Sequence, residues 1–282
     1  MAVWRIDSGG GPRLAVGSLA EGPSVFLPAD VRVADLLQPG GWEELPGLAA
    51  GGDAVPPGVR VLAPVDDQDV WAAGVTYVRS RDARLEESGR LDAYDKVYVA
   101  ERPELFWKAG PGEVRGPGET VGIRLDSTWD VPEPELAVVA DATGRIVAAC
   151  VGNDMSSRSI EGENPLYLPQ AKIYRHSAAL GPALVEWDDG VLGGEVRLTI
   201  RRGADVAVDD RVSLSELHRT PADLVDWLFR ARDFPRGVVL LTGTGVVPSS
   251  GFTLAEGDEV RISISGLGEL VNVVEVVGSQ KS

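Results

Sequence analysis

Cysteine is nearly absent: it occurs once in 282 residues, and histidine and methionine occur twice each. A lone thiol, Cys150, forms no internal disulfide, which excludes a disulfide-framed secreted module and fits a reducing cytosol. Its place in an apolar run reads as core rather than nucleophile. His176 and His218 offer no HExxH zinc pair. No GxxxxGK[ST] phosphate loop occurs, and Gly243-Thr244-Gly245 runs into Val246, Val247 and Pro248, which neither completes a dinucleotide fingerprint nor opens a helix. Basic charge is scarce: Lys and Arg total 27 against 43 Asp and Glu, a net charge of -16. That balance argues against nucleic acid or an anionic membrane surface as partner. An acidic substrate would need local Lys, Arg or metal. No run approaches the ~20 apolar residues of a membrane span. The first residues lack the apolar core of a secretory signal, so the expectation is a cytoplasmic protein.

A hydrophobic fraction of 44% with 25% charge is ordinary for a soluble globular chain long enough to bury a full core. Residues 2–6, 13–16 and 24–27 read as short strands between Gly/Pro turns, 33–37 as a short helix, and 45–61 as a loose connection. Residues 1–66 are expected to form a small N-terminal domain without chemistry, and 67–282 the functional domain. The latter opens with a buried strand, Val70-Trp71-Ala72-Ala73-Gly74-Val75. Residues 78–99 are dense in charge and read as solvated surface helices or, as the rarer case, an active-site lid. In Pro103-Glu104-Leu105-Phe106-Trp107-Lys108, strand alternation puts Glu104, Phe106 and Lys108 on one face, a pattern that plain surface also gives. Residues 154–170 are polar with little periodicity, yet hold enough apolar side chains to be packed. Strands are expected at 183–187, 194–201, 204–208, 238–241, 259–264 and 270–277. Thr220-Pro221-Ala222-Asp223 opens a helix running to about residue 232. The sum is a strand-rich α+β fold with few helices.

The chain is organised around Trp129-Asp130-Val131-Pro132-Glu133-Pro134-Glu135-Leu136-Ala137-Val138-Val139. On a strand Glu133 and Glu135 share a face, and two adjacent carboxylates repel unless a cation or a shared proton relieves them. The following residues read as strand, turn at Asp141-Ala142-Thr143-Gly144-Arg145, and strand. A hairpin centred between Thr143 and Gly144 sets Glu133 opposite Asp154; a bulge at Gly144 would shift this by one position. Directly opposed residues have Cβ atoms ~5 Å apart. Glu-x-Glu alone is common on solvated strands. Three converging carboxylates, with Gly152-Asn153-Asp154 at the strand end, favour a hard-cation site.

Gly74-Val75-Thr76-Tyr77, Pro134-Glu135-Leu136, Gly152-Asn153-Asp154-Met155-Ser156-Ser157-Arg158, the stretch 172–182 and Thr242-Gly243-Thr244, in this order, resemble the fumarylacetoacetate hydrolase family over about residues 67–277. The resemblance implies a mixed β-sandwich roll, usually dimeric, with Mg²⁺ or Mn²⁺ on Glu133, Glu135 and Asp154. It also implies a pocket lysine at Lys172 and a substrate-facing threonine at Thr244. Hydrolytic members carry a water-activating histidine where this chain has Ser80, and its loss weighs against C–C bond hydrolysis; the family also often has an aspartate where this chain has Arg175. The run 159–172 and Glu104 look like the branch of 2-keto-3-deoxy-pentonate dehydratases. The expected activity is therefore that of a lyase dehydrating a 2-keto-3-deoxy sugar acid through a metal-bound enolate. Lys172 would act as base and Glu104 or Glu161 as acid, with Arg158, Gln170, Thr244 and Ser157 binding substrate. The alternative within the family is a hydrolase, decarboxylase or tautomerase of an acylpyruvate or oxaloacetate-like 2-keto acid.

Overall fold

Alternation along Pro134–Ala140 decides the architecture. Leu136, Val138 and Ala140 pack into a core with Val196, Leu198, Ile262 and Ile264, whereas Ala137 and Val139 pack with Leu27, Val33, Leu36 and Trp42 on the opposite face. A strand covered on both sides reads as a continuous apolar run, and every residue of this one is buried. Each such Val or Leu contributes about 1.5–3 kcal/mol relative to exposure.

The computed structural model describes residues 1–78 and 97–279. Among them, a ten-stranded mixed sheet runs in the order Gly22–Phe26, Pro12–Ser18, Ala2–Asp7, Ala178–Glu186, Ile146–Asp154, Pro134–Ala140, Val238–Leu241, Asp69–Gly74, Glu104–Ala109, with Arg60–Val61 paired to Ala2–Asp7. Val238–Leu241 is parallel to Asp69–Gly74 and antiparallel to Pro134–Ala140. A five-stranded sheet packs on one face: Asp205–Ser213, Glu195–Arg202, Glu259–Ile264, Gly268–Val277 and Thr120–Arg124. Residues 27–45 cover the other face as a third layer. This is the strand-rich, sandwich-like α+β arrangement with few helices that the sequence implies. The expected division near residue 66 stays a sequence-based proposal; strands on both sides of it share the large sheet.

Some local expectations change. Residues 45–61 are tied down rather than loose: Phe26 N donates to Asp53 O (2.9 Å), Val55 N to Ser24 O (2.9 Å), and Arg60–Val61 pairs with strand Ala2–Asp7. The Gly/Pro content there marks turns. The helix capped by Thr220, whose hydroxyl accepts from Asp223 N at 3.2 Å, spans Pro221–Phe229 and stops short of residue 232. The chain turns there to bring Phe234 into the core against Phe229, ring centroids 5.0 Å apart. Residues 154–172 contain the short helices Arg158–Glu163 and Leu168–Lys172, too brief to show a helical period. Cys150 is fully buried, its thiol pushed up to about 12 by burial, which suits packing and not nucleophilic attack. The charged stretch 78–99 lies almost wholly outside the described residues, and Ser80 entirely so.

Candidate metal centre and active site

Glu133 N donates to Asp154 O at 3.2 Å and Asp154 N to Glu133 O at 2.9 Å, so the two residues face one another across the hairpin. The route to that register differs in detail from the expected one. Ala140 pairs Ile146, which centres the turn on Thr143; a bulge at Val147 then sets Ala148 opposite Val139 and Gly152 opposite Glu135. Val147 and Ala148 consequently pack on the same face.

One ligand oxygen each from Glu133, Glu135 and Asp154 lies within 4.8 Å of the others, and all three residues are buried. Gly243 completes the support for Glu135, whose Oε2 accepts its N–H at 2.6 Å. Only glycine serves there: φ is +90°, and an added Cβ would stand 2.0 Å from Thr76 Oγ1. Burial, reinforced by the charges of Asp154 and Glu133, holds the Glu135 carboxyl well above its usual range. A cation would relieve this cost, and the hard oxygen donors of the cluster suit Mg²⁺ or Mn²⁺.

Cations crowd the other two carboxylates. Lys172, at the end of helix Leu168–Lys172, donates from Nζ to Glu133 Oε2 (2.8 Å), Asp154 Oδ2 (3.1 Å) and Ser156 Oγ (2.6 Å). Arg158 Nη2 lies 3.0 Å from Glu133 Oε1. Lys108 Nζ lies 2.5 Å from Asp154 Oδ1 and donates to Met155 O at 2.9 Å and to Lys172 O. The Phe106 ring closes one side, its centroid 5.8 Å from Lys172 Nζ.

The remaining sequence candidates lie on the elements that carry the cluster or next to them in the chain. Ser157 caps helix Arg158–Glu163, accepting from Ile160 N, and its hydroxyl bonds Ser127 Oγ at 2.8 Å. Arg158 and Glu161, three apart on that helix, are both buried. Glu104 is half-buried against Gly74, where an added Cβ would meet its Oε2 at 1.9 Å. Thr244 is buried, with its hydroxyl bonded to both Val246 O (3.1 Å) and Val246 N (3.2 Å). Gln170 is exposed, and its carbonyl accepts from Arg124 Nη1 at 3.0 Å. Lys108 and Ser156 are the contributors that sequence reasoning passed over. Strand parity with Glu104 and Phe106 marked the Lys108 face, but a plain-surface reading competed with it; at 1% exposure that reading fails.

Residues 70–275 match the model of the fumarylacetoacetate (FAA) hydrolase C-terminal domain. The chain belongs to the fumarylacetoacetate hydrolase family. It is 50% identical over 220 residues to a probable 2-keto-3-deoxyxylonate dehydratase of Haloferax volcanii, covering 77% of this chain and 76% of that one. It is 38% identical over 224 residues to the 2-dehydro-3-deoxy-D-arabinonate dehydratase of Saccharolobus solfataricus, covering 77% and 75%. A solved structure of a 2-keto-3-deoxy-D-arabinonate dehydratase, complexed with magnesium and 2,5-dioxopentanoate, superposes with TM-score 0.86 at 31% identity over 99% of this chain and 100% of that one. No helix among the described residues is long and apolar enough to cross a membrane.

Proposed function

We propose that this family member is a divalent-metal-dependent lyase that dehydrates a 2-keto-3-deoxy sugar acid. The observation that carries the reading is the buried carboxylate triad with the Lys172 ammonium lodged against it, in a chain half identical to a named dehydratase of that class.

Glu133, Glu135 and Asp154 would hold Mg²⁺ or Mn²⁺, which would polarise the 2-keto group and carboxylate of the substrate and acidify its C3 protons. Lys172, as the free amine, takes one C3 proton, leaving an enolate. The C4–O bond breaks and the hydroxyl leaves as water with a proton from Glu104 or Glu161. Loss of a proton from C5 and return of one to C3 shift the double bond to C4=C5, and protonation of that enol at C4, with loss of the hydroxyl proton, gives the 2,5-dioxo acid. Arg158, Ser157, Thr244 and Gln170 supply hydrogen bonds to the substrate's oxygens. Charge balance supports an anionic ligand in a protein of net charge -16: with Lys172 as the amine, Lys108 and Arg158 oppose two of the three carboxylates, so a divalent cation would leave this group of side chains net positive. Cytoplasmic placement and assembly as a homodimer or larger homo-oligomer go with the same reading.

Purified protein with Mg²⁺ should convert a 2-keto-3-deoxy-pentonate to a product lighter by one water, read by mass. EDTA should abolish turnover, and Glu133→Gln should lower kcat by about a thousandfold or more. Loss of CO₂ or gain of water from a 2-keto acid panel would reassign the reaction to a decarboxylase or a hydrolase. Full activity in metal-free enzyme would overturn the proposal.

A further inference from the structure

We propose that Lys108 is a positioning residue of this site: its ammonium fixes the spacing between Asp154 and Lys172 and weakens the carboxylate cluster's hold on a divalent cation. The inference rests on the metal-dependent reading above and deepens it.

Three observations carry it. First, the Lys108 side chain is fully buried: its Nζ donates to Met155 O and Lys172 O and lies 2.5 Å from Asp154 Oδ1 as an ion pair. The ammonium is enclosed by protein groups on all three of these contacts, so its influence on the reaction passes through its neighbours. Second, those acceptors join three separate parts of the chain. Lys108 belongs to strand Glu104–Ala109, Asp154 ends strand Ile146–Asp154, and Lys172 ends helix Leu168–Lys172. A five-residue helix has little stability of its own, and its terminal carbonyls lack intrahelical partners. The bond to Lys172 O therefore anchors the residue that carries the second ammonium. Third, Asp154 has a lysine on each oxygen, Lys108 on Oδ1 and Lys172 on Oδ2. When Lys172 turns to the substrate, Lys108 stays, because its remaining bonds are to main chain. An ammonium beside a ligand carboxylate draws electron density from it and repels a second cation. The metal is then held less tightly and is left a stronger Lewis acid. An apolar side chain could fill the same space without the penalty of burying an ammonium, which burial here pushes down in pKa against the opposing pull of Asp154.

The test compares wild type with Lys108→Met and Lys108→Gln in the full chain. Mg²⁺ affinity is read by titration calorimetry, kcat and KM on a 2-keto-3-deoxy-pentonate, and melting in EDTA. Both variants remove the charge; only Gln keeps N–H donors for the carbonyls. Both should bind Mg²⁺ at least about tenfold more tightly than wild type. In Lys108→Met, kcat should fall by about ten- to a hundredfold with KM changed less than about threefold, and Lys108→Gln should recover part of that loss. Unchanged or weaker Mg²⁺ binding in folded variants overturns the role of Lys108 alone. A wild type that binds no Mg²⁺ overturns the metal reading itself. Loss of cooperative melting in both variants assigns Lys108 to stability and also overturns the proposal.

Discussion

Asp130 lies three positions before Glu133, nearly inaccessible, with Oδ1 lacking a hydrogen-bond partner. Burial raises its pKa to about 6, although a hydrogen bond from Ser127 pulls the other way. An unfolded aspartate titrates near 3.9, about two units lower. Between about pH 4 and 6 the folded chain therefore keeps a proton that the unfolded chain has released. The stability linked to that proton is fully present below pH 4 and lost by the time the pH has passed 6. Allowing for partial hydration, the loss is about 1–2 kcal/mol. Asp130→Asn should accordingly melt a few degrees above wild type at pH 8 in EDTA, with the difference closing toward pH 4. A pH-independent difference in thermal melts would show that Asp130 does not titrate in this window.

At the scale of elements, the hairpin supporting the candidate metal ligands makes a sharper prediction. The extra residue at the bulge is Val147, and both strands are in register beyond it. Deleting Val147 heals the bulge and leaves Glu133 opposite Asp154, at the cost of one buried side chain and the 3.0 Å bond from Trp187 N to Val147 O. Deleting Ala149 instead slips everything after it by one, which turns Asp154 to the other face. Mg²⁺ titration should find binding in the first variant and none in the second. This hairpin was legible in the sequence because period-two alternation and turn chemistry are local signals. Local signals failed elsewhere for identifiable reasons. Strand Thr120–Arg124 finds its parallel partner in Gly268–Val277, far along the chain, and Gly122 interrupts its pattern. Helices Arg158–Glu163 and Leu168–Lys172 are shorter than two turns. Lys108 is polar on a strand, and only the docking of two other segments decides that it is inside. The candidate ligands were readable because a hairpin brings them together; Lys172 and Arg158 entered through the family resemblance, and Lys108 was missed because a distant segment delivers it.

For the whole molecule, a cation that binds the folded cluster and not the unfolded chain must stabilise the fold by mass action. At a hundred times its Kd the gain is about 2.7 kcal/mol, or a rise of roughly 5 °C in Tm for a chain of this length. Melting of wild type should respond to MgCl₂ in this way, and melting of Glu133→Gln should not. High salt should weaken the response, because a molecule with net charge -16 gathers cations partly through its general field.

The bonds that brace the cluster also bear on how the chain folds. Gly243 N reaches Glu135 across 108 positions, Thr76 Oγ1 reaches Thr242 O across 166, and Lys172 Nζ reaches Glu133 across 39. Contacts between such remote segments form late, after costly loop closures. The transition state for folding should then contain no cation site, whatever portion of the sheets it has built. Mg²⁺ should leave the refolding limb of a chevron plot where it is and lower the unfolding limb, so that the ion acts as a brake on opening and not as a template for assembly.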